Sequence, residues 1–158
     1  MNKTNAIRFL DTNKIEYEVF EYPSNGKIDA ISVSKYLDED ASQVFKTLVT
    51  ISNSKVHYVF VVPGNKELDL KKAAKVSGNK KVDLIAMKDL LSTTGYIRGG
   101  CSPIGMKKAF PTYFHMTCMQ YDYIYVSAGQ RGLQIKIAPG DLVNYVGAAT
   151  DDITINKD

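Results

Sequence analysis

Val44-Phe45-Lys46-Thr47-Leu48-Val49-Thr50-Ile51-Ser52 is followed by Asn53-Ser54, and later by Val56-His57-Tyr58-Val59-Phe60-Val61-Val62. Both apolar runs are rich in β-branched residues, a composition that suits a pleated, half-buried surface. The short polar break between them predicts a hairpin, and Pro63-Gly64 ends the second strand. Hairpin neighbours run antiparallel, which argues for a mixed α/β domain over a parallel doubly wound sheet. Lys46 is the anomaly of the first strand. A lysine amid apolar residues snorkels, finds a partner or faces a cavity. It can equally guard an edge strand against aggregation. The strand by itself leaves both readings open.

Outward from the hairpin, Thr4 caps an expected helix through Asn13, with Ile7 and Leu10 inward. Residues 16–22 alternate as a strand, and Ser24-Asn25-Gly26 turns it. Short helices are expected over 30–37, 69–76 and 87–91. Strands are expected over 113–116, 121–127 and 133–137, and Pro139-Gly140-Asp141 opens a last helix through Val146. No internal repeat, low-complexity tract or linker-like break divides the 158 residues, so one domain over 1–158 is expected.

The composition, 44% apolar, is ordinary for a globular chain. No apolar run approaches the roughly 20 residues that span a bilayer. Met1-Asn2-Lys3-Thr4-Asn5 leads into helix-like sequence without a signal-like apolar region, so the cytoplasm is the expected compartment and no membrane partner is expected. Cys101 and Cys118 make no disulfide framework, and His57 and His115 have no ligand spacing. No metal site is expected. The net charge of +3 does not argue for nucleic acid, but its distribution is uneven. Residues 66–108 hold ten Lys or Arg against four Asp or Glu. That suits a phosphate-bearing substrate or a solvated lysine-rich helix, and charge does not separate the two.

The basic segment leads into Gly99-Gly100-Cys101-Ser102-Pro103-Ile104-Gly105. Glycines let backbone approach a ligand closely and bare N–H groups that can hold an oxygen. Ser127-Ala128-Gly129-Gln130-Arg131-Gly132 ends a later strand in the same style. Cys101 and Ser102 are candidate nucleophiles without an evident histidine partner, and Cys101 also reads as a small buried residue. Ser127 either orients a ligand or caps a turn. Arg131 meets either a phosphate or an internal carboxylate.

The order of these stretches, with Leu68-Asp69-Leu70-Lys71-Lys72 and Thr94-Gly95-Tyr96 between them, resembles the YbaK/EbsC family over nearly the whole chain. That family comprises single-domain trans-editing aminoacyl-tRNA deacylases related to the editing insertion of prolyl-tRNA synthetases. Within it the chain is similar to the YbaK type, which clears cysteine from proline tRNA. The resemblance implies a mixed α+β fold, with a mainly antiparallel or mixed, strongly curved sheet and flanking short helices. It implies Lys46, Gly99 and Gly100 as catalytic positions, and Tyr22, Ser102, Pro103, Gly105, Ser127 and Arg131 as substrate-binding ones. Backbone donors would stabilise the oxyanion, and the cysteinyl thiol would attack its own ester, a hydrolase or lyase-like route with no protein nucleophile and no cofactor. The implied partners are the acceptor end of aminoacyl-tRNA and prolyl-tRNA synthetase. The alternatives are a water-using deacylase for alanine or another small amino acid, and a non-catalytic module that binds tRNA or the synthetase. Gln134 departs from the pattern, because family members can carry aspartate there.

Overall fold

A computed structural model describes residues 3–26 and 28–156. Met1, Asn2, Lys27, Lys157 and Asp158, part of the expected 1–158 unit, lie outside the described residues. The central hairpin forms as the sequence expects. β2 (Phe45–Ser52) pairs antiparallel with β3 (His57–Pro63), Thr50 opposite Tyr58 and Lys46 opposite Val62. β3 buries Val59, Phe60, Val61 and Val62 completely, so both of its faces are covered.

Helices cover those faces. α1 (Asn5–Thr12) starts at Thr4, whose hydroxyl accepts the N–H of Ile7 and donates to the carbonyl of Ala128. Ala6, Ile7 and Leu10 are its buried face. β1 (Glu18–Glu21) follows, then α2 (Ala30–Leu37), capped by Asp29, and α3 (Leu70–Val76), capped by Asp69. Between α3 and α4 (Leu90–Thr94) lies β4 (Val82–Leu84), and after α4 comes β5 (Thr112–His115). β6 (Ile124–Ser127), β7 (Leu133–Ile137), α5 (Pro139–Val146) and β8 (Ala149–Asp151) complete the order.

The strands fall into two sheets, antiparallel β1-β7-β6 and mixed β4-β2-β3-β5-β8. The mixed character comes from the parallel pairs β3–β5 and β5–β8. A parallel bridge between Val44 and Tyr125 links the sheets. The expected strand over 121–127 begins only at Ile124, because the chain bends at Tyr121 and Asp122 as it leaves a 3-10 turn over Met116–Gln120. β4 and β8 were not expected, and each is three residues long. The largest core packs α1, β2, β3, β5, β6, β7 and α5 through residues such as Ile7, Phe45, Val61, Phe114, Val126, Ile135 and Leu142.

Candidate active site

The seam between the sheets leaves part of β2 uncovered. Its outer edge meets β6 at Val44 and β4 from Thr50 onward. The five residues between those contacts span about 16 Å of extended chain. A cavity of 580 Å³ opens along that stretch, lined by Val44 through Val49. Ile28, Asp29, Ile31 and Val33 from the α2 region and Leu84, Ile85, Met87 and Leu90 from the β4–α4 region add further wall.

Lys46, Gly99 and Ser127, far apart in the chain, all line this cavity. Lys46 is half-buried, and its Nζ stands 3.5 Å from the carbonyl of Gly64. Burial lowers its pKa, partly offset by the negative charges of Glu67 and Asp29. Gly99 sits third in a turn closed by the Gly100 N–H donating to the carbonyl of Ile97 (3.0 Å). Its φ of +83° is the left-handed value that a type II turn demands at that place, which explains a glycine there. The Nε of Arg131 donates to the carbonyl of Arg98 (2.8 Å), so Arg131 steadies this loop from outside the cavity. Ser127 Oγ accepts the N–H of Gly129 (3.1 Å) and so turns the end of β6.

The other expected positions stand behind the wall. Gly100 is buried with its N–H committed to Ile97, so it offers no donor to the cavity. The N–H groups of Gly99 and Cys101 have no acceptor among the described residues, and both residues line the cavity. Ser102 is fully buried and its Oγ accepts the N–H of Ile104 (3.2 Å), while Pro103 is buried beside it. Gly105 packs against Phe9 and Tyr96. The second half of the glycine loop therefore anchors the first half. Tyr22 packs with Val33, Val44 and Tyr125, two of which line the cavity, and its buried hydroxyl has no partner among the described residues. Cys101 faces the cavity, but burial pushes its thiol up to about 12, with Thr94 pulling weakly the other way. At neutral pH it is a thiol and a poor nucleophile.

Two cavity residues carry an unmet need. Gln134 is 6% exposed, and its Oε1 is buried with no hydrogen-bond partner among the described residues. Thr47 Oγ1 is in the same state. Gln134 lies directly opposite Ser127 in the β6–β7 ladder, so the two side chains share one face. The sequence reading missed Thr47 and met Gln134 only as a departure. The one available signal was the register: the turn after Ser127 returns the chain to its level at Gln134.

The family model described as the aminoacyl-tRNA editing domain matches residues 27–145. The chain is 50% identical over 156 residues to EbsC of Enterococcus faecalis, named as a proposed Cys-tRNA(Pro)/Cys-tRNA(Cys) deacylase. That match covers 98% of this chain and 95% of the relative. A solved structure titled as a proposed trans-editing enzyme for prolyl-tRNA synthetase superimposes with a TM-score of 0.87 at 23% identity, covering 99% of this chain and all of that one. A second, titled a hypothetical protein, reaches 0.89 at 19% identity over 96% of this chain and all of that one. At these identities the two solved structures speak for the fold alone.

Proposed function

The chain belongs to the aminoacyl-tRNA editing domain family, and from that premise we propose that it hydrolyses cysteine mischarged onto tRNA, above all proline tRNA. The observation that carries this reading is the convergence of Lys46, Gly99 and Ser127 on one cavity at the seam of two sheets. The relative's name couples two tRNAs to one amino acid, which supports a pocket that reads the cysteinyl group. Residues 1–158 act as one editing unit.

The ester of an aminoacyl-tRNA is already activated, so positioning and electrostatics supply the required catalysis. The scissile carbonyl oxygen sits toward the N–H groups of Gly99 and Cys101, which stabilise its growing negative charge. The Lys46 ammonium adds a positive charge within a partly desolvated site. The cysteinyl thiol gives up its proton and its sulfur attacks the carbonyl carbon. A carbon–sulfur bond forms, the ester carbon–oxygen bond breaks, and the ribose oxygen leaves with a proton. Water then opens the cyclic thioester. Amino acids without a thiol lack that route, which gives a discrimination beyond the roughly 10–200-fold that pocket size supplies per methylene.

Prolyl-tRNA synthetase is the proposed partner that presents proline tRNA, and the cytoplasm is the proposed compartment. Among the described residues no helix is long and apolar enough to cross a membrane. The test is a panel of cysteinyl, alanyl and prolyl esters on proline tRNA and cysteine tRNA. Cysteine is expected to be released fastest. Equal rates for cysteine and alanine would overturn the thiol route, and no release of any amino acid would overturn the deacylase.

A further inference from the structure

The charge of the chain is concentrated in one place. Of its twenty Lys and Arg and seventeen Asp and Glu, residues 66–83 hold six lysines and three carboxylates, which leaves fourteen of each sign elsewhere. The whole net charge of +3 therefore resides in α3 and the segments that flank it. The carboxylates there are already engaged. Asp69 accepts the N–H groups of Lys71 (2.9 Å) and Lys72 (3.1 Å), and Asp83 pairs with Lys81 (3.6 Å). The charge of Glu67 acts on Lys46. Asp152, just beyond β8, pairs with Lys72 (2.9 Å). Lys71, Lys75 and Lys80 are exposed and have no ion-pair partner among the described residues. Lys71 and Lys75, one turn apart, share a face of α3. The N–H of Asn79 donates to the carbonyl of Ala74 (2.8 Å), which holds the backbone next to Lys80 against the end of that helix.

This basic surface shares a wall with the cavity. Residues directly opposite one another in an antiparallel ladder project to the same face. Lys46 stands opposite Val62, and Leu48 opposite Phe60. Theirs is the face that α3 covers, because Phe60, Val62 and Leu48 pack with Ala73 and Ala74. Leu48 also lines the cavity. Lys46 and α3 thus lie on one side of the mixed sheet, with Leu48 touching both the cavity and the helix cluster. The α2 wall has the other sign: residues 29–40 hold four carboxylates and one lysine. We propose that Lys71, Lys75 and Lys80 form a track for the phosphate backbone of the tRNA acceptor stem, which leaves the cavity over α3 and away from α2. This inference rests on the deacylase reading. An ester small enough for the cavity arrives on a long polyanion, and phosphate contacts fix the orientation of a nucleic acid without reading its sequence. The track holds the tRNA body, and the cavity is left to choose the amino acid.

The test combines Lys71→Gln, Lys75→Gln and Lys80→Gln in one variant of the full chain. A second variant combines Arg8→Gln, Lys35→Gln and Lys108→Gln, exposed cations of α1, α2 and the segment after α4. KM and kcat for cysteinyl-tRNA are measured between about 50 and 200 mM salt, a range over which phosphate contacts weaken steeply. Calorimetry gives the affinity for the cysteinyl amide of 3′-amino-3′-deoxyadenosine, a non-hydrolysable ligand without a stem. Three lost phosphate contacts change the slope of log KM against log salt by about two. The α3 variant is therefore expected to raise KM about fifteenfold at the low end of that range, with the defect fading toward the high end. The loss falls on KM and spares both kcat and the affinity for the amide, and the second variant keeps the parental slope. An unchanged slope in the α3 variant, an equal change in the second variant, or a parallel loss of amide binding overturns the track. Turnover of cysteinyl-tRNA by the parental chain separates the two failures. It persists if only the track is wrong, and its absence removes the deacylase reading and the track with it.

Discussion

Replacing Lys46 with methionine keeps an unbranched stem in β2 and removes the ammonium. The stability cost is small by the structure. The nitrogen makes one contact at the limit of a hydrogen bond, 3.5 Å to the Gly64 carbonyl, and burial already disfavours its charge. Losing the contact and relieving the desolvation act in opposite directions, so the net change stays within about 1 kcal/mol. For a chain of this size that moves Tm by no more than about 4 °C. The catalytic effect is much larger. A unit charge about 4 Å from a developing oxyanion, at an effective dielectric near 20, is worth about 4 kcal/mol. At about 1.4 kcal/mol per decade this is nearly a thousandfold in kcat/KM. The assay is single-turnover release of cysteine from cysteinyl-tRNA, with Tm and tRNA affinity measured on the same preparation. Lys46→Met that unfolds normally, binds tRNA normally and still releases cysteine at the parental rate would refute the electrostatic role. A pure binding module would show neither the parental rate nor its loss.

Cys101→Ala should retain turnover, because the thiol is held up at about 12 and faces the cavity only as a small apolar group; complete loss with binding intact would make it a nucleophile. Gly100→Ala should lower Tm and activity together. Its Cβ would stand 2.9 Å from Gln130 Cα and 3.1 Å from Arg131 N, backbone atoms that cannot step aside, at a cost of about 1–3 kcal/mol. Gly78→Ala meets nothing within 4 Å, carries only the strain of φ +73°, and should leave turnover intact. His115 predicts the acid side of the stability curve. Its ring is buried, Nδ1 accepts the N–H of Ile153 (3.2 Å), and burial lowers its pKa below the usual 6.5. The folded state therefore binds fewer protons than the unfolded one. The contribution is whole above about pH 6.5 and is lost as pH falls through the lowered value. His115→Gln should flatten the decline of Tm between about pH 7 and pH 5; an unchanged slope would refute this.

The hairpin was legible because β2 and β3 are long, apolar and separated by a polar break. The last helix was legible because Pro139 fits the first helical turn. β4 and β8 left no such pattern. β4 carries Asp83 between two apolar residues, and all three residues of β8 are exposed. Each is a strand only because a partner strand lies beside it, which is a tertiary fact. The site divides in the same way. Lys46 showed as an anomaly in its own strand, and Gly99 as a glycine cluster. Nothing local told which half of the 99–105 loop faces the cavity and which half anchors it. Ser102, Pro103 and Gly105 have the composition of a ligand loop, yet Ser102 and Pro103 are buried and Gly105 packs on Phe9 and Tyr96, which holds the backbone of Gly99 and Cys101 in place. Thr47 was invisible because a threonine in a strand is ordinary until its hydroxyl is found without a partner.

The open edge of β2 carries a consequence of its own. In an antiparallel ladder, backbone N–H and C=O groups of successive residues point alternately to the two sides. The carbonyl of Val44 accepts from Gly64 on the β3 side (2.7 Å), and that of Val49 accepts from Ile85 on the outer side (3.1 Å). Odd-numbered residues from Phe45 to Val49 therefore turn their backbone groups outward, and Thr47 lies midway, beyond the reach of the Val44 bridge and of β4. Its N–H and C=O open onto the cavity. Unpaired strand edges are ordinarily blunted by charge or covered by another segment. Here Lys46 supplies the charge, and under the proposed function an aminoacyl group bound along the edge would supply the cover. Hydrogen exchange at the Thr47 amide should thus be fast in the free protein and slow when the cysteinyl amide of 3′-amino-3′-deoxyadenosine is bound, while the amides of Lys46 and Leu48, directed at β3, stay protected in both. Equal exchange at Thr47 with and without the ligand would mean that the substrate does not lie along this edge, and the orientation derived for the ester would have to be abandoned.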